Sequence, residues 1–299
     1  MANAAQALSD SLASAAKQAG KSLVRIDSGS RWGATGSVWS GEAIVTASHV
    51  LRDERSVQVH LPDRSAVAAE LAGRDEATDV AVLRAEPGAI EAGGGGVPEW
   101  IGLEDAAVGT LVLALARPGR TVRAALGVIG ALGEAWPTAL GGTVERYVEP
   151  DIAARAGFSG GLLVNANGQA LGMNTAPGRR APLLTLPAVT LRRIVPDLLK
   201  RGRVPRAYLG IGAYPVRVAA GGQAAGQSAL IVVSVEPAGP AAQAGVLQGD
   251  LLLTLDSQAT ASLAALKNLL EAGSAGRTVR LGLVRAGQAR ELEVSLGTA

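Results

Sequence analysis

Gly157-Phe158-Ser159-Gly160-Gly161 lies between two strand-like runs, with its serine where flanking glycines permit a sharp turn. Such a turn aims the Ser159 hydroxyl and the amide N–H groups of Gly157 and Ser159 at one point. Acyl transfer needs that combination: a nucleophile beside donors for the developing oxyanion. Taken alone, a Gly/Ser cluster between strands is more often only a turn. The choice between these readings depends on whether a base and an acid stand elsewhere in the chain.

There are two histidines, so the search for a base is short. His60 belongs to the alternating run Val57 to Leu61 and reads as a solvent-facing strand residue. His49 follows the apolar run Ile44-Val45-Thr46-Ala47-Ser48, at a strand end where a turn begins. A general base needs that rigid placement with its ring free to face a cleft. Asp79 heads the apolar strand Val80-Ala81-Val82-Leu83. An acid entering buried surroundings costs several kcal/mol unless it is hydrogen-bonded. A histidine N–H would satisfy it; local amides capping a strand start are the plainer alternative.

The elements that must position these residues are short and β-type. Runs at 23–26, 37–39, 43–47, 57–61, 67–71 and 80–83 make a first all-β half. Gly93 to Gly96 with Pro98 reads as an exposed, flexible spacer. Runs at 111–116, 122–129, 144–148, 162–164, 170–175 and 183–186 make a second half. Leu191, Ile194, Val195, Leu198 and Leu199 then fall on one helical face entered through Pro187, and Pro196 is expected to kink or split that helix. Residues 201–206 read as a linker. Beyond it, strands at 229–235, 251–255, 279–284 and 291–296 and helices at 240–244 and 262–272 form a second domain. Residues 3–19 read as an Ala-rich helix or a loose leader. The domains expected are a leader 1–22, a catalytic domain 23–200, a linker 201–206 and a second domain 207–299.

Composition narrows the function classes. The 299 residues are 48% apolar, enough for real cores, and the net charge of +2 comes with no Lys/Arg cluster of the kind a nucleic-acid face carries. One Phe, three Tyr and four Trp argue against base-stacking platforms. The longest apolar run, Leu111 to Ala116, is far short of the ~20 residues of a membrane span. There is no cysteine, hence no disulfide, thiol nucleophile or thiolate metal site. Met1 to Lys21 lacks the basic start and apolar stretch of a secretory signal, which fits a cytoplasmic protein or a mature form with a replaced start.

The order His49, Asp79, Ser159 is one of several convergent triad orders. The words around these residues resemble those of the HtrA (DegP-like) serine proteases. Thr46-Ala47-Ser48-His49-Val50 is similar to T-A-x-H-V, Thr78-Asp79-Val80-Ala81-Val82-Leu83 to T-D-x-A-V-L, and Gly157 to Gly161 to G-N-S-G-G. Asp151, Gly172-Met173-Asn174-Thr175-Ala176 and Leu186-Pro187 match as well. Tyr208-Leu209-Gly210-Ile211 resembles a PDZ carboxylate-binding loop, and Pro240 to Gly245 with Gly249-Asp250 resembles P-A-x-x-A-G…G-D.

The resemblance implies a mainly β fold: a chymotrypsin-like double β-barrel followed by an α+β PDZ domain. It implies a serine endopeptidase without cofactor or metal, cleaving unfolded or misfolded proteins. His49 would act as base, Asp79 would orient it, Ser159 would attack, and the amides of Gly157 and Ser159 would form the oxyanion hole. Thr175 would offer its hydroxyl to Asp79. The shallow apolar specificity pocket would have Ala153, Ala154, Leu183 and Leu184 as walls. Leu209, Gly210 and Ile211 would take a peptide C-terminal carboxylate, with Leu263 and Leu266 lining the pocket and Leu269 and Leu270 in the core. The family's periplasmic or other extracytoplasmic setting and a homotrimer are also implied; aromatic contacts in the leader help hold such trimers, and here the leader before Leu23 contains no aromatic residue. Phe158 stands where the family has Asn. A protease fold grown catalytically weak around Phe158, acting as a PDZ peptide-binding or chaperone-like module, is the alternative. A cytoplasmic scaffold without proteolysis is a second.

Overall fold

Covered on both faces, an apolar strand reads as a continuous run; covered on one, it alternates. Both textures recur in the structure, a computed structural model that describes residues 3–298 except 30–32, 53–54, 139, 179–180, 219–227 and 271–275. The chain divides into two compact units, Met1–Trp136 with Val144–Val204 and Pro137–Thr143 with Pro205–Ala299.

The first unit opens with a helix, α1 (Ala4–Ala19), whose N-terminus is capped by the Asn3 side chain. Ala15 and Ala19 are buried with Leu23, Leu113, Leu115 and Leu162, so this leader is a docked helix. Strands β1 (Leu23–Ile26), β2 (Ala34–Val38), β3 (Ala43–Ala47), β4 (Ser56–His60), β5 (Ala66–Asp75) and β6 (Val80–Ala85) close into a barrel in the order β1-β2-β3-β6-β5-β4. In β4, Val57 and Val59 point inward while Ser56 and Gln58 are exposed. In β3 every residue is buried. Ile44 faces the barrel core, and Ala43 and Val45 face an outer apolar layer.

The glycine run corrects an expectation. A short helix, α2 (Ala89–Ala92), leads into Gly93, which is buried rather than part of a loose spacer. A Cβ there would stand 2.2 Å from Leu61 Cδ1, and the Gly93 carbonyl accepts the Asp63 amide. Gly95 and Gly96 donate to the carbonyls of Ile90 and Lys21. Glycine is needed here for close approach, not for looseness.

Strands β7 (Leu111–Ala116), β8 (Arg123–Leu132), β9 (Trp136–Pro137), β10 (Thr143–Val144), β11 (Val148–Pro150), β12 (Leu162–Asn165), β13 (Ala170–Thr175) and β14 (Leu184–Pro187) follow. The expected strand 144–148 is divided by a bend at 145–146 into β10 and β11. The main sheet runs β11-β8-β7-β12-β13-β14, and its end strands β11 and β14 lie close enough to make it barrel-like.

Helix α3 (Ala188–Arg201) passes through Pro196 as one element rather than splitting. An internal proline costs about 3 kcal/mol. Against it stand Leu191, Ile194, Val195 and Leu198, all fully buried, at about 1.5–3 kcal/mol each. Burial wins. These side chains cover Ala43, Val45, Val80 and Val82 of the first barrel together with Met173 and Leu186 of the second sheet. Gly202, at φ 73°, ends the helix, and the expected linker begins with its last residue, Arg201.

In the second unit β15 (Ala207–Tyr208) pairs with a terminal strand, numbered β22 in chain order (Gly297–Thr298). Between them come β16 (Ile211–Arg217), β17 (Ser228–Val235), α4 (Pro240–Gln243), β18 (Leu251–Leu255), β19 (Gln258–Ala259), α5 (Leu263–Leu269), β20 (Thr278–Arg285) and β21 (Gln288–Ser295). The sheet order β16-β17-β18-β20-β21 leaves β16 at an edge. Helix α5 starts on the Ser262 side-chain cap and ends at Leu269. Glu271 and Ala272 of the expected helix lie outside the described residues. Buried Asp250 receives two Arg285 hydrogen bonds at 2.7 Å and the Leu247 amide at 2.8 Å. Burial raises its pKa, but these donors outweigh burial and hold the carboxyl below its ordinary range.

Candidate active site

Strand β3 ends in a single 3-10 turn, Ser48–Val50, which carries His49. Asp79, just ahead of β6, grips that turn. Its backbone carbonyl accepts the Ser48 amide at 3.1 Å, and its Oδ1 accepts the His49 amide at 2.8 Å. Oδ2 lies 2.7 Å from His49 Nδ1 and also accepts the Thr175 hydroxyl. Asp79 itself has φ +60°, a left-handed backbone that costs a non-glycine residue on the order of 1 kcal/mol or more. With Nδ1–H donated to Asp79, the neutral ring presents Nε2 as a free acceptor.

Ser159 is 8% exposed, and its Oγ accepts the Ala176 amide at 3.2 Å. Among the described residues no hydrogen bond joins Ser159 to His49, but both line one cavity of about 580 Å³. Gly157 lines it too. The turn around Ser159 spends its other amides: Phe158 donates to Arg155, Gly160 to Asn174 and Gly161 to Phe158. The amides of Gly157 and Ser159 donate to no acceptor among the described residues. Two unspent donors beside a hydroxyl can receive a developing oxyanion.

Hydroxyls of the first barrel hold this turn. Thr35 Oγ1 donates to the Gly157 carbonyl at 2.6 Å while accepting the Arg117 amide at 2.9 Å. Ser37 Oγ donates to the Gly160 carbonyl at 2.8 Å, and Thr46 Oγ1 to the Thr35 carbonyl at 2.7 Å. From the second sheet, buried Asn174 donates to the Leu162 carbonyl and accepts the Thr185 hydroxyl. A Cβ on Gly160 would fall 1.9 Å from the Thr35 carbonyl oxygen, so only glycine fits there.

In the second unit a separate cavity of about 460 Å³ opens between the edge strand β16 and α5. Leu209, Gly210, Ile211, Leu263 and Leu266 all line it. The carbonyls of Leu209 and Gly210 are taken by Ala241 and Glu236, whereas the amides of Leu209 and Gly210 have no acceptor among the described residues. Leu270, expected in the core, belongs to the core and also lines this groove; Leu269 packs against the core only.

Residues 34–173 match the family model of a trypsin-like peptidase domain, and residues 207–296 match that of a PDZ domain. Solved structures superpose along nearly the whole chain. A serine endoprotease from Yersinia pestis does so with a TM-score of 0.70 at 25% identity, over 96% of this chain and 98% of its own. The HtrA-type protease AlgW, solved with a decapeptide, gives 0.71 at 23% identity over the same shares. The chain has the HtrA architecture, a trypsin-like peptidase domain followed by a PDZ domain. Curated relatives include the periplasmic pH-dependent serine endoprotease DegQ of Escherichia coli (strain K12). It is 29% identical over 268 residues, covering 86% of this chain and 57% of the relative. A probable periplasmic DegP-like endoprotease of Bartonella henselae is 30% identical over 262 residues, covering 85% and 50%. The chain thus spans about half the length of the curated relatives it matches.

Within the trypsin-like peptidase unit, the four residues expected to wall the specificity pocket separate. Ala154 lines the cavity. Ala153 is exposed outside it, Leu184 is half-buried in β14, and Leu183 is buried in the second sheet's core. Phe158 also turns away from the cavity: its ring is 1% exposed in the core with Leu163, Leu171 and Leu183. Asp151 is exposed. His60 is half-buried with Nε2 2.9 Å from Asp27 Oδ2, so it has a structural partner rather than facing solvent alone. The supporting Thr35 and Ser37 were not legible as site residues, and Thr46 stood only within a matching word. Asn174 was legible only as part of a matching word.

Proposed function

We propose that the chain is a serine endopeptidase of HtrA type that cleaves unfolded or misfolded proteins, with the PDZ domain recognising peptide C-termini. One observation carries this reading: Asp79 holds His49 Nδ1 at 2.7 Å, and His49 lines one cavity with Gly157 and Ser159, whose amides are unspent. On substrate entry the Ser159 hydroxyl, which accepts the Ala176 amide, donates its proton to a hydrogen bond with His49 Nε2; such contacts commonly tighten only in the complex. Oγ then attacks the scissile carbonyl carbon while His49 takes its proton, and the oxyanion is received by the two amides. His49 returns the proton to the leaving amine. Water, deprotonated by His49, then releases the acyl group from Ser159. The curated relatives named above are periplasmic, and an extracytoplasmic setting is part of the proposal. So is the homotrimer. No described helix is long and apolar enough to cross a membrane.

Unfolded casein tests the activity and the pocket together. The protein is expected to fragment it, with mass spectrometry finding Val, Ala or Ile before the cut bonds. No carboxylate lines the described cavity, and Arg52 and Arg155 do. A basic substrate side chain would lie there unpaired beside like charges, at a cost of several kcal/mol. A profile dominated by Arg and Lys would show the pocket to be wrongly assigned. Intact casein alongside retained peptide binding would favour the binding-module alternative.

The PDZ groove yields its own prediction. A peptide with an apolar C-terminus should add as a strand along β16 and place its carboxylate at the amides around Gly210. Binding by residues 207–299 is expected in the micromolar range, about −8 kcal/mol. Calorimetry with the C-terminally amidated peptide should show loss of that binding. Equal affinity for both peptides would rule out the carboxylate site.

A further inference from the structure

Four arginines converge on a second cavity of the peptidase unit. Arg25, Arg64, Arg117 and Arg120 line a space of about 370 Å³ with His60, Leu61 and Gly119. No carboxylate lines it among the described residues. Asp27 is shared between two of these lining residues, Arg25 and His60.

The donors here are undersupplied with acceptors. Arg117 is 9% exposed; its Nη2 donates to the Gly20 carbonyl at 2.9 Å, and its buried Nε has no partner. Arg25 Nε is likewise buried without a partner. Arg64 and Arg120, both exposed, have no ion pair among the described residues. Burial also depresses the Arg117 pKa, the sign of a guanidinium short of compensating charge. A buried unpaired charge is costly, and crowding four like charges adds to that cost. An anion with several acceptor oxygens would supply the acceptors that these guanidinium groups need. A phosphate group matches guanidinium forks in geometry and charge. The space exceeds a bare phosphate, and Leu61 gives it an apolar wall, which suits the organic part of a monoester.

We propose that the Arg25, Arg64, Arg117 and Arg120 cavity binds a phosphate group, carried by a small soluble phosphomonoester or by a lipid headgroup. The cavity is distinct from the one lined by His49 and Ser159, with which it shares no residue among those described.

The test uses the full chain at pH 7 and constant ionic strength. Inorganic phosphate and glycerol 3-phosphate are titrated by calorimetry against a sodium chloride control, and phosphatidylcholine vesicles with and without phosphatidic acid are tested by flotation. Saturable binding in at least one phosphate arm is expected. Soluble binding alone identifies a small-molecule site, and flotation confined to phosphatidic acid vesicles identifies a headgroup site. Arg64→Gln and Arg120→Gln change exposed side chains, so both variants should keep the wild-type unfolding temperature. Each should weaken the phosphate interaction about ten-fold, the loss of one charge-assisted hydrogen bond. No saturable binding in any arm, or equal binding by the Arg64→Gln/Arg120→Gln double variant, would overturn the proposal.

Discussion

Ser159→Ala is expected to lower kcat on unfolded casein by about a million-fold, because triad members act as a unit. His49→Ala should cost about as much, and the double variant little more than either alone. Non-additivity is the informative part: once one member is gone, the others have nothing to work on. Asp79→Asn should cost about ten thousand-fold. Its amide would keep the shape but present an N–H or a neutral oxygen to His49 Nδ1, disturbing the tautomer that Oδ2 fixes at 2.7 Å. Asn also tolerates the left-handed backbone of this position, so the loss would report on charge and tautomer rather than on folding. Unchanged unfolding temperature and unchanged peptide binding by the PDZ domain serve as controls. Wild-type rates in Ser159→Ala would sink the endopeptidase reading.

Phe158→Asn is expected to destabilise the peptidase unit severely. Among the described residues the ring is the largest fully buried side chain, and it sits among Leu163, Leu171, Leu183 and Val112. Truncating such a ring costs about 3–5 kcal/mol. A buried amide without partners adds about 1–3 kcal/mol. Phe158→Leu, which keeps most of the apolar volume, should cost far less. Denaturant unfolding of the three proteins makes the comparison. Equal midpoints for wild type and Phe158→Asn would mean that the ring is not an anchor. The side chain that departs from the family word therefore sits below the nucleophile turn, not beside the hydroxyl. Its neighbours Gly157 and Ser159 keep their amides unspent all the same.

Much of this was legible because local signals agreed. Continuous apolar runs such as Ala43 to Ala47 and alternating ones such as Val57 to Val59 marked strands, and both textures have their cause in which faces are covered. His49 was found by elimination, since only two histidines exist. What stayed hidden depends on partners remote in sequence. Thr35 meets Gly157 across 122 positions, and no local pattern marks a strand threonine as a brace. Leu183 was apolar and near the site in sequence, but just ahead of β14 its side chain packs into the core, while Leu184, the first residue of that strand, is half-buried. Pro196 carried a true local signal that four buried neighbours outweighed. The arginine cavity was missed because Arg25, Arg64, Arg117 and Arg120 form no cluster along the chain.

The layer beneath α3 sets a timetable for synthesis. Ala43, Val45, Val80 and Val82 leave the ribosome early, yet their outer cover is Leu191, Ile194, Val195 and Leu198, near the end of the peptidase unit. Until that helix has emerged, the first barrel carries a bare apolar flank, the kind of surface that attracts chaperones or other nascent chains. Closing the barrel early therefore confers little by itself. The nascent chain stays adhesive until one late helix seals both sheets in a single step.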